Sequence, residues 1–516
     1  MAGARAFQAA YMSADLQSPG QYEDWGARAT RYAVLWAYYE NTAYSNVHSW
    51  AQALRSQDTA VYQYIRNIYN PANRLGAFWQ THLMGGSLDP MAGDGIDEPS
   101  ALPIDYAGPD GLSNKFSVAI AELWKWSNWQ KRKGIWTLWG STMGDVGMRI
   151  VDDVEKGRVY LSLVDPSTIK SVDADEYGNT KGYTIEEQRV NPESPSQMAT
   201  YTEDCYRDND LVVWETSLNG KPYAWPTNPA GRNGEPLDMW VEPYGFVPFV
   251  VTQHIDVGLD WGWSEMHAGR GKIREIDDLA SMLSDQVRKT VNAVPVFIGA
   301  KPGNVSLSKT ADTDARPQMG REQTPILYIP DPQGGVDWMV APIDYEGVLK
   351  HMIGIIEEIE RDYPELRFDR LRASGEVSGR ALQIARQPAE AKVLERRVEY
   401  DTSLVKAQQM AVAIGGWRGY DGYQGFSLDS FGRGDLQHTI GDRPVFAMSE
   451  MDRLDEKKTF WQIVSESSDA PIPVETILAD LGWTAEQLAD YGTQRMAAIA
   501  LEQEDTIPEL PEGRTQ

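Results

Sequence analysis

Four groups of residues carry side chains and spacings that could do chemistry. The run Gly140-Ser141-Thr142-Met143-Gly144-Asp145-Val146-Gly147 has the glycines of a phosphate-cradling loop. It lacks the Gly-Lys-Ser/Thr ending that sets a cation on the phosphates. Strand-like residues flank it on both sides, so it reads as a hairpin turn. Asp173, Asp175 and Gly178 match the first half of a calcium loop. Tyr177 then falls at the fifth position and Thr184 at the twelfth, where an oxygen ligand and a bidentate Glu are needed. Tyr177-Gly178-Asn179 reads instead as a β-turn between two strands. His254, Asp256, Asp260, Glu265 and His267 crowd one short stretch, but no His-x-x-x-His and no cysteine pair fixes a metal shell there. A metal-dependent enzyme built on His254 and His267 is kept as a weaker alternative. Glu186/Glu187 and Glu357/Glu358 are chain neighbours, which face different directions on a strand or helix and make no acid–base pair. There is no Gly-x-Ser-x-Gly run. No catalytic constellation remains; no cofactor and no metal is expected, and the chain is not expected to be an enzyme.

The fourth group is charge rather than catalysis. Arg367, Arg370 and Arg372 lie close together, and Arg380 and Arg386 follow. Residues 361–400 hold 9 Lys/Arg against 7 Asp/Glu, a net of +2 in a chain of −27. This is the one stretch read as locally basic. It fits either a solvated loop with local ion pairs to Glu365, Asp369 and Glu376 or a loop that meets phosphates by point charge and bidentate contact.

The elements that must position these residues follow from periodicity. The chain has 516 residues, enough for two to four structural units, with ordinary globular composition. Residues 22–86 read as helical, with Tyr32, Leu35, Trp36 and Tyr39 at helical spacing. Residues 85–111 read as a loop and 115–131 as another helix. From Gly134 the pattern turns to short strands, over 135–140, 147–152, 159–164, 169–172, 183–189, 211–216 and 247–253. A second helical period opens at Ser264, which reads as its N-cap, with Ile276, Leu279, Leu283, Val287 and Val291 on one face. Residues 294–342 are rich in Pro and Gly and hold strand-like pieces at 294–298, 326–329 and 336–340. A third helix carries Val348, Met352, Ile355, Ile356 and Ile359 and stops at Tyr363-Pro364. After a polar loop, 365–378, a long helix is expected over 381–414, kinked at Pro388. A Gly-rich tract, 415–434, follows, and 444–505 read as helical. Residues 441–516 carry 16 Asp/Glu against 6 Lys/Arg, with a mobile tail after Glu502.

The single cysteine, Cys205, excludes an internal disulfide. Residues 1–16 hold Arg5 without a following apolar run, so no secretory leader is expected. No run of 18 apolar residues suggests a membrane span. The acidic balance argues against a protein that grips nucleic acid over most of its surface.

Several stretches resemble portal proteins, the head-to-tail connectors of tailed double-stranded DNA bacteriophages. They are Asn70-Pro71 with 75–86, residues 134–151 and then 159–172 with Val164-Asp165-Pro166, and Tyr244-Gly245-Phe246-Val247-Pro248-Phe249 before Gly262-Trp263-Ser264. The most specific is Ser378-Gly379-Arg380-Ala381-Leu382 at the start of the long helix. Ile477-Leu478-Ala479-Asp480-Leu481-Gly482-Trp483-Thr484 resembles the family's late helical region. The likeness runs in order over roughly 20–500, and the order of the elements carries it rather than any single motif. Residues 85–111 and 415–440 have no counterpart in it.

The resemblance implies an α+β portal fold with a mixed α/β wing, a long α-helical stem, a small β-containing clip and an α-helical crown. The wing would take 1–262, stem helix 1 would be 263–292, the clip 293–342 and stem helix 2 343–362. Residues 363–378 would be the tunnel loop, 379–440 the long kinked helix and the rest of the wing, and 441–516 the crown and acidic tail. It further implies a ring of about twelve copies at one capsid vertex of the virion, assembled in the host cytoplasm. Double-stranded DNA would pass through its channel during packaging and ejection. The partners would be the terminase large subunit, the head–tail adaptor, and the major capsid and scaffolding proteins, with no membrane. Arg367, Arg370, Arg372 and Arg380 would meet DNA, and Lys301, Lys309, Arg316 and Arg321 would meet partners at the clip. A virion ring or adaptor without DNA transit is the nearer alternative.

Overall fold

The structure is a computed structural model. It describes residues 24–43, 68–84, 104–231, 233–291, 294–298, 327–329, 335–339, 345–367, 379–441, 443, 445–446, 458, 462 and 491–493. The chain divides into two compact units, Met1–Phe446 and Ala447–Gln516. In the second, residues 458, 462 and 491–493 are helical. The rest of it, with the expected tail after Glu502, lies outside the described residues.

The first unit mixes helix and sheet, as α+β requires. Helices α1 (Trp25–Tyr39) and α2 (Ala72–His82) come first, followed by strand β1 (Ile104–Tyr106). Helices α3 (Ser113–Ser127) and α4 (Trp129–Met143) are separated only by Asn128 in the left-handed conformation. Strands β2 (Asp145–Asp153) and β3 (Arg158–Val164) pair with each other, and β10 (Phe249–Gln253) joins the other edge of β2. Strands β4 (Ile169–Ala174), β5 (Thr180–Asn191), β6 (Ser194–Asp208) and β7 (Leu211–Leu218) form an antiparallel meander. Both β8 (Lys221–Pro222) and β9 (Met239–Glu242) pair with β7.

A helical hairpin comes next. Helix α5 (Arg270–Val291) leads to β11 (Val294–Ile298), β12 (Leu327–Ile329) and β13 (Gly335–Met339), a small sheet of order β12-β11-β13. Helix α6 (Tyr345–Asp362) returns, and a 3-10 turn, Pro364–Arg367, follows it. Lys272, near the start of α5, lies 2.7 Å from Asp362 at the end of α6, so the two helices run antiparallel. The 40-residue α7 (Gly379–Arg418) packs on β2, β3 and β10 and on α3. Helix α8 (Leu428–Arg433) and strand β14 (His438–Ile440) close the unit, with β14 pairing β1.

Two buried clusters hold this together. The larger joins the strands to α3, α4 and α7 through Trp136, Met148, Phe249, Tyr400 and Leu404. The smaller joins α1 and α2 to the base of the hairpin through Leu35, Leu75, Ile273, Ile276, Ile359 and Tyr363. Glycine matters where α4 crosses α7. A Cβ on Gly140 would lie 1.9 Å from the Tyr400 hydroxyl, so only glycine lets the two helices approach there.

Several expectations need correction. Residues 135–140 are helical, not a strand. Alternating bulk at Ile135, Trp136, Leu138 and Trp139 hides a helical face, on which Trp129, Trp136, Gly140 and Met143 are buried. The Gly140–Gly147 run is therefore no hairpin turn. It is the end of α4, stopped by Gly144 at φ 103, and the start of β2. Residues 104–106, expected in a loop, form β1, and the long helix continues through Gly415 and Gly416 to Arg418. Ser264 caps no long helix, because α5 begins at Arg270. The Ser264 hydroxyl instead donates to the Thr142 carbonyl at 2.6 Å and is buried. Among the described residues no helix is long and apolar enough to cross a membrane.

Candidate functional site

The segment singled out by charge lies between α6 and α7. Arg367 is exposed at the end of the 3-10 turn. Arg380 stands in the first turn of α7. Arg370 and Arg372 lie outside the described residues, as do Lys301, Lys309, Arg316 and Arg321. Arg386, on α7, sits over the Phe446 ring with 5.0 Å to its centroid. The helix runs on through Pro388, which is exposed and offers no N–H to the Ile384 carbonyl one turn back.

This stretch is not alone in being basic. Residues 123–144 carry Lys125, Lys131, Arg132 and Lys133 with no Asp or Glu, a net of +4. Much of that charge is tied to the body. Lys125 pairs with Glu122 at 3.1 Å, Arg132 donates to the Leu161 carbonyl at 3.0 Å, and Lys133 donates to Gln130 at 2.6 Å. Burial lowers the Lys133 ammonium to about 8.

What the fold brings together at the foot of the segment is a buried ionic cluster that sequence reasoning missed. Glu265 comes from the chain before α5, Glu365 from the 3-10 turn, and Lys392, Arg396 and Tyr400 from successive turns of α7. The Lys392 ammonium pairs with Glu265 at very short range and with Glu365 at 3.1 Å. Arg396 stands 3.8 Å from Glu265. His254 Nε2 lies 3.1 Å from Glu265, and its Nδ1 lies 3.0 Å from the Tyr400 hydroxyl. Beneath them the Trp79 ring meets His254 edge-on.

The protonation states follow from this packing. Burial alone would raise the Glu265 carboxyl, but the hydrogen bond from His254 and the charge of Lys392 hold it down at about 2. Burial pushes Glu365 up to about 7, against the pull of Lys392 and with the repulsion of Glu265. Burial would lower the Lys392 ammonium, yet Glu265 and Glu365 together hold it above its ordinary value. Burial keeps His254 below its ordinary value, hence neutral. With Glu265 ionised, Nε2 must donate and Nδ1 must accept from Tyr400. Neither ring nitrogen keeps a lone pair for a metal, and His267 is instead tilted against Trp263 at 4.3 Å. The metal-enzyme alternative loses its central ligand.

A second buried centre pins α1. Asp145, at the start of β2, accepts from Tyr32 at 2.6 Å and from the Gly262 backbone N–H at 2.7 Å. Arg31 stands 3.9 Å away. Burial lifts Asp145 to about 6 against the charge of Arg31. The Asp173–Asn179 segment is the expected turn, with Asp175 accepting from the backbone N–H of Tyr177 and of Asn179 at 2.9 and 2.7 Å.

One signal for the cluster was present in the sequence. Lys392, Arg396 and Tyr400 repeat at i, i+4 and i+8, one face of a helix. His254 and Glu265 stood in the crowded titratable stretch, but nothing linked them to Glu365 or to α7, because only the fold brings these near. Compared with models of known protein families and with curated proteins, the chain gives no match.

Proposed function

We propose that the chain is a portal-type ring subunit of a tailed double-stranded DNA phage. In this reading it forms a channel at one capsid vertex for packaging and ejection of the genome, and docks the terminase and then the head–tail adaptor. The carrying observation is the order of elements. A mixed α/β body is followed by α5, a small sheet, an antiparallel return on α6, and a 40-residue α7 that re-enters the body. That is the wing–stem–clip–stem–wing order the resemblance implies. The mostly acidic chain supports a conduit that DNA slides through, since few cations are offered to phosphates. ATP hydrolysis belongs to a separate terminase motor.

A ring also explains exposed apolar side chains on the hairpin. Leu349 and Ile353 are one turn apart on α6 and about half exposed, beside the row that packs at the base of the hairpin. In a closed ring such a stripe would meet the next copy. Mass photometry and negative-stain imaging of the purified full chain test the reading. Rings of about twelve copies with a central channel are expected; a monomer at every concentration overturns it. Changing Arg367, Arg370 and Arg372 together to Ala is expected to impair packaging or DNA retention while rings still form. Unchanged packaging would remove the arginines from the proposal and leave the ring.

A further inference from the structure

The Glu265–Lys392–Glu365 cluster does more than fill a core. It ties three separate pieces of chain: the approach to α5, the turn after α6, and α7. Apolar packing also holds the turn, and the Tyr363 hydroxyl beside it accepts from the Gly269 N–H. Tyr363 and Leu366 are buried in the smaller core, and Glu365 provides its ionic contact with α7. One ammonium faces two carboxylates, of which Glu265 also has Arg396 and His254. Among the described residues, the ammonium shared with Glu265 is the one ion-pair partner of Glu365.

We propose that Glu365 is a proton-operated latch at the joint between α6 and α7: protonated, it holds the Pro364–Arg367 turn against α7, and on ionisation it loosens that turn. No bond is made or broken beyond the loss of one proton to solvent. A buried carboxylate beside Glu265 with a shared lysine is poorly compensated, whereas the neutral acid still accepts from Lys392. Opening the turn returns the carboxylate to water, where it ionises near 4.5 instead of about 7. The closed state thus binds the proton more tightly. Its advantage is full below about 4.5 and is lost as pH rises through about 7.

The groups facing Glu365 can be named by element. Helix α7 gives Lys392, and the chain before α5 gives Glu265, backed by His254 and Arg396. The end of α6 gives Tyr363, whose ring lies 5.0 Å from the Lys392 ammonium and whose hydroxyl accepts from the Gly269 N–H. Helix α2 gives the uncharged Trp79 ring, 6.0 Å from the same ammonium. His254 also titrates, but in the opposite sense. Held below its ordinary value, it favours the closed state above about 6.5 and opposes it as pH falls. A variant that removes only Glu365's proton separates the two.

Hydrogen exchange read by mass spectrometry on the full chain at pH 5.5 and 7.5, corrected for intrinsic exchange, tests the latch. In the unaltered protein, opening of peptides spanning 359–367 should rise about twenty-fold between the two pH values. Glu365→Gln, which fixes the neutral form, should abolish that rise and leave protection at the pH 5.5 level. Lys392→Met should move the midpoint above about 7, because the two carboxylates lose their shared cation. Equal pH dependence in the unaltered protein and E365Q overturns the proposal, whatever happens to K392M. The assay needs neither a ring nor DNA, so its failure and that of the portal reading are distinguishable.

Discussion

The body and the hairpin solve burial differently. The body completes its own core: Trp79, Trp136, Phe249 and Tyr400 are sealed from solvent by strands on one side and α7 on the other. Among the described residues, the hairpin is buried at its base. Ile273, Ile276 and Ile359 are buried there, while Leu349 and Ile353 on α6 and Val287 on α5 stay exposed. On the portal reading, the exposed side chains of the hairpin would meet a neighbouring copy. The contrast teaches that the body carries most of the chain's buried core, and on that reading the exposed hairpin side chains are where an assembly would gain its own.

The sharpest way to break this comparison is to hollow the body. Phe249 is fully buried on β10, and its ring stacks on Tyr183 at 4.3 Å. Phe249→Ala should cost about 3–5 kcal/mol in denaturant unfolding. A loss below about 1 kcal/mol would show that the body core is not what stabilises the chain.

How much of this was legible in the sequence depends on how local each cause is. Strands β2 and β3 announce themselves, because Val146, Met148 and Ile150, and then Val159 and Leu161, are apolar residues spaced two apart. Strand β6 escapes the pattern because its inward row is Ala199, Tyr201, Glu203 and Cys205. A glutamate in that row breaks the apolar alternation; it is tolerated because Arg149 lies 3.1 Å away and the Tyr183 and Tyr201 hydroxyls donate to it. The division of α3 from α4 hangs on one left-handed Asn128, which no periodicity reports. The hairpin with its β insert was readable, since each of its pieces is a local pattern. The latch was not, since residues 265, 365 and 392 become neighbours only after both helices have folded.

A smaller effect sharpens the comparison within the body's own charges. Asp145 is raised to about 6 mainly by burial, from an ordinary value of 3.8. Its contribution to stability is complete below about 3.8 and disappears as pH rises through about 6. Between pH 5.5 and 7.5 the unaltered protein should lose about 1 kcal/mol through this group. Asp145→Asn should remove that part of the slope in urea midpoints followed against pH. An identical slope in both proteins would mean that Asp145 is ionised at both pH values and that its bonds to Tyr32 and Gly262 outweigh its burial.

The smallest expected change in stability is the most telling one. Leu349→Ser with Ile353→Ser removes two apolar side chains of α6 that are already about half exposed, 48% and 47%. The inner row of Met352, Ile355, Ile356 and Ile359 keeps its contacts with the smaller core. Unfolding of the isolated subunit should therefore shift by no more than about 0.5 kcal/mol. Assembly should respond quite differently. If the stripe meets a neighbouring copy, each subunit loses two desolvated side chains at a repeated interface, and the ring population seen by mass photometry should collapse towards monomer. Intact rings from the double variant would place the subunit contacts elsewhere. A large loss of monomer stability would show instead that α6 needs this face for its own packing, and the contrast between body and hairpin would fail.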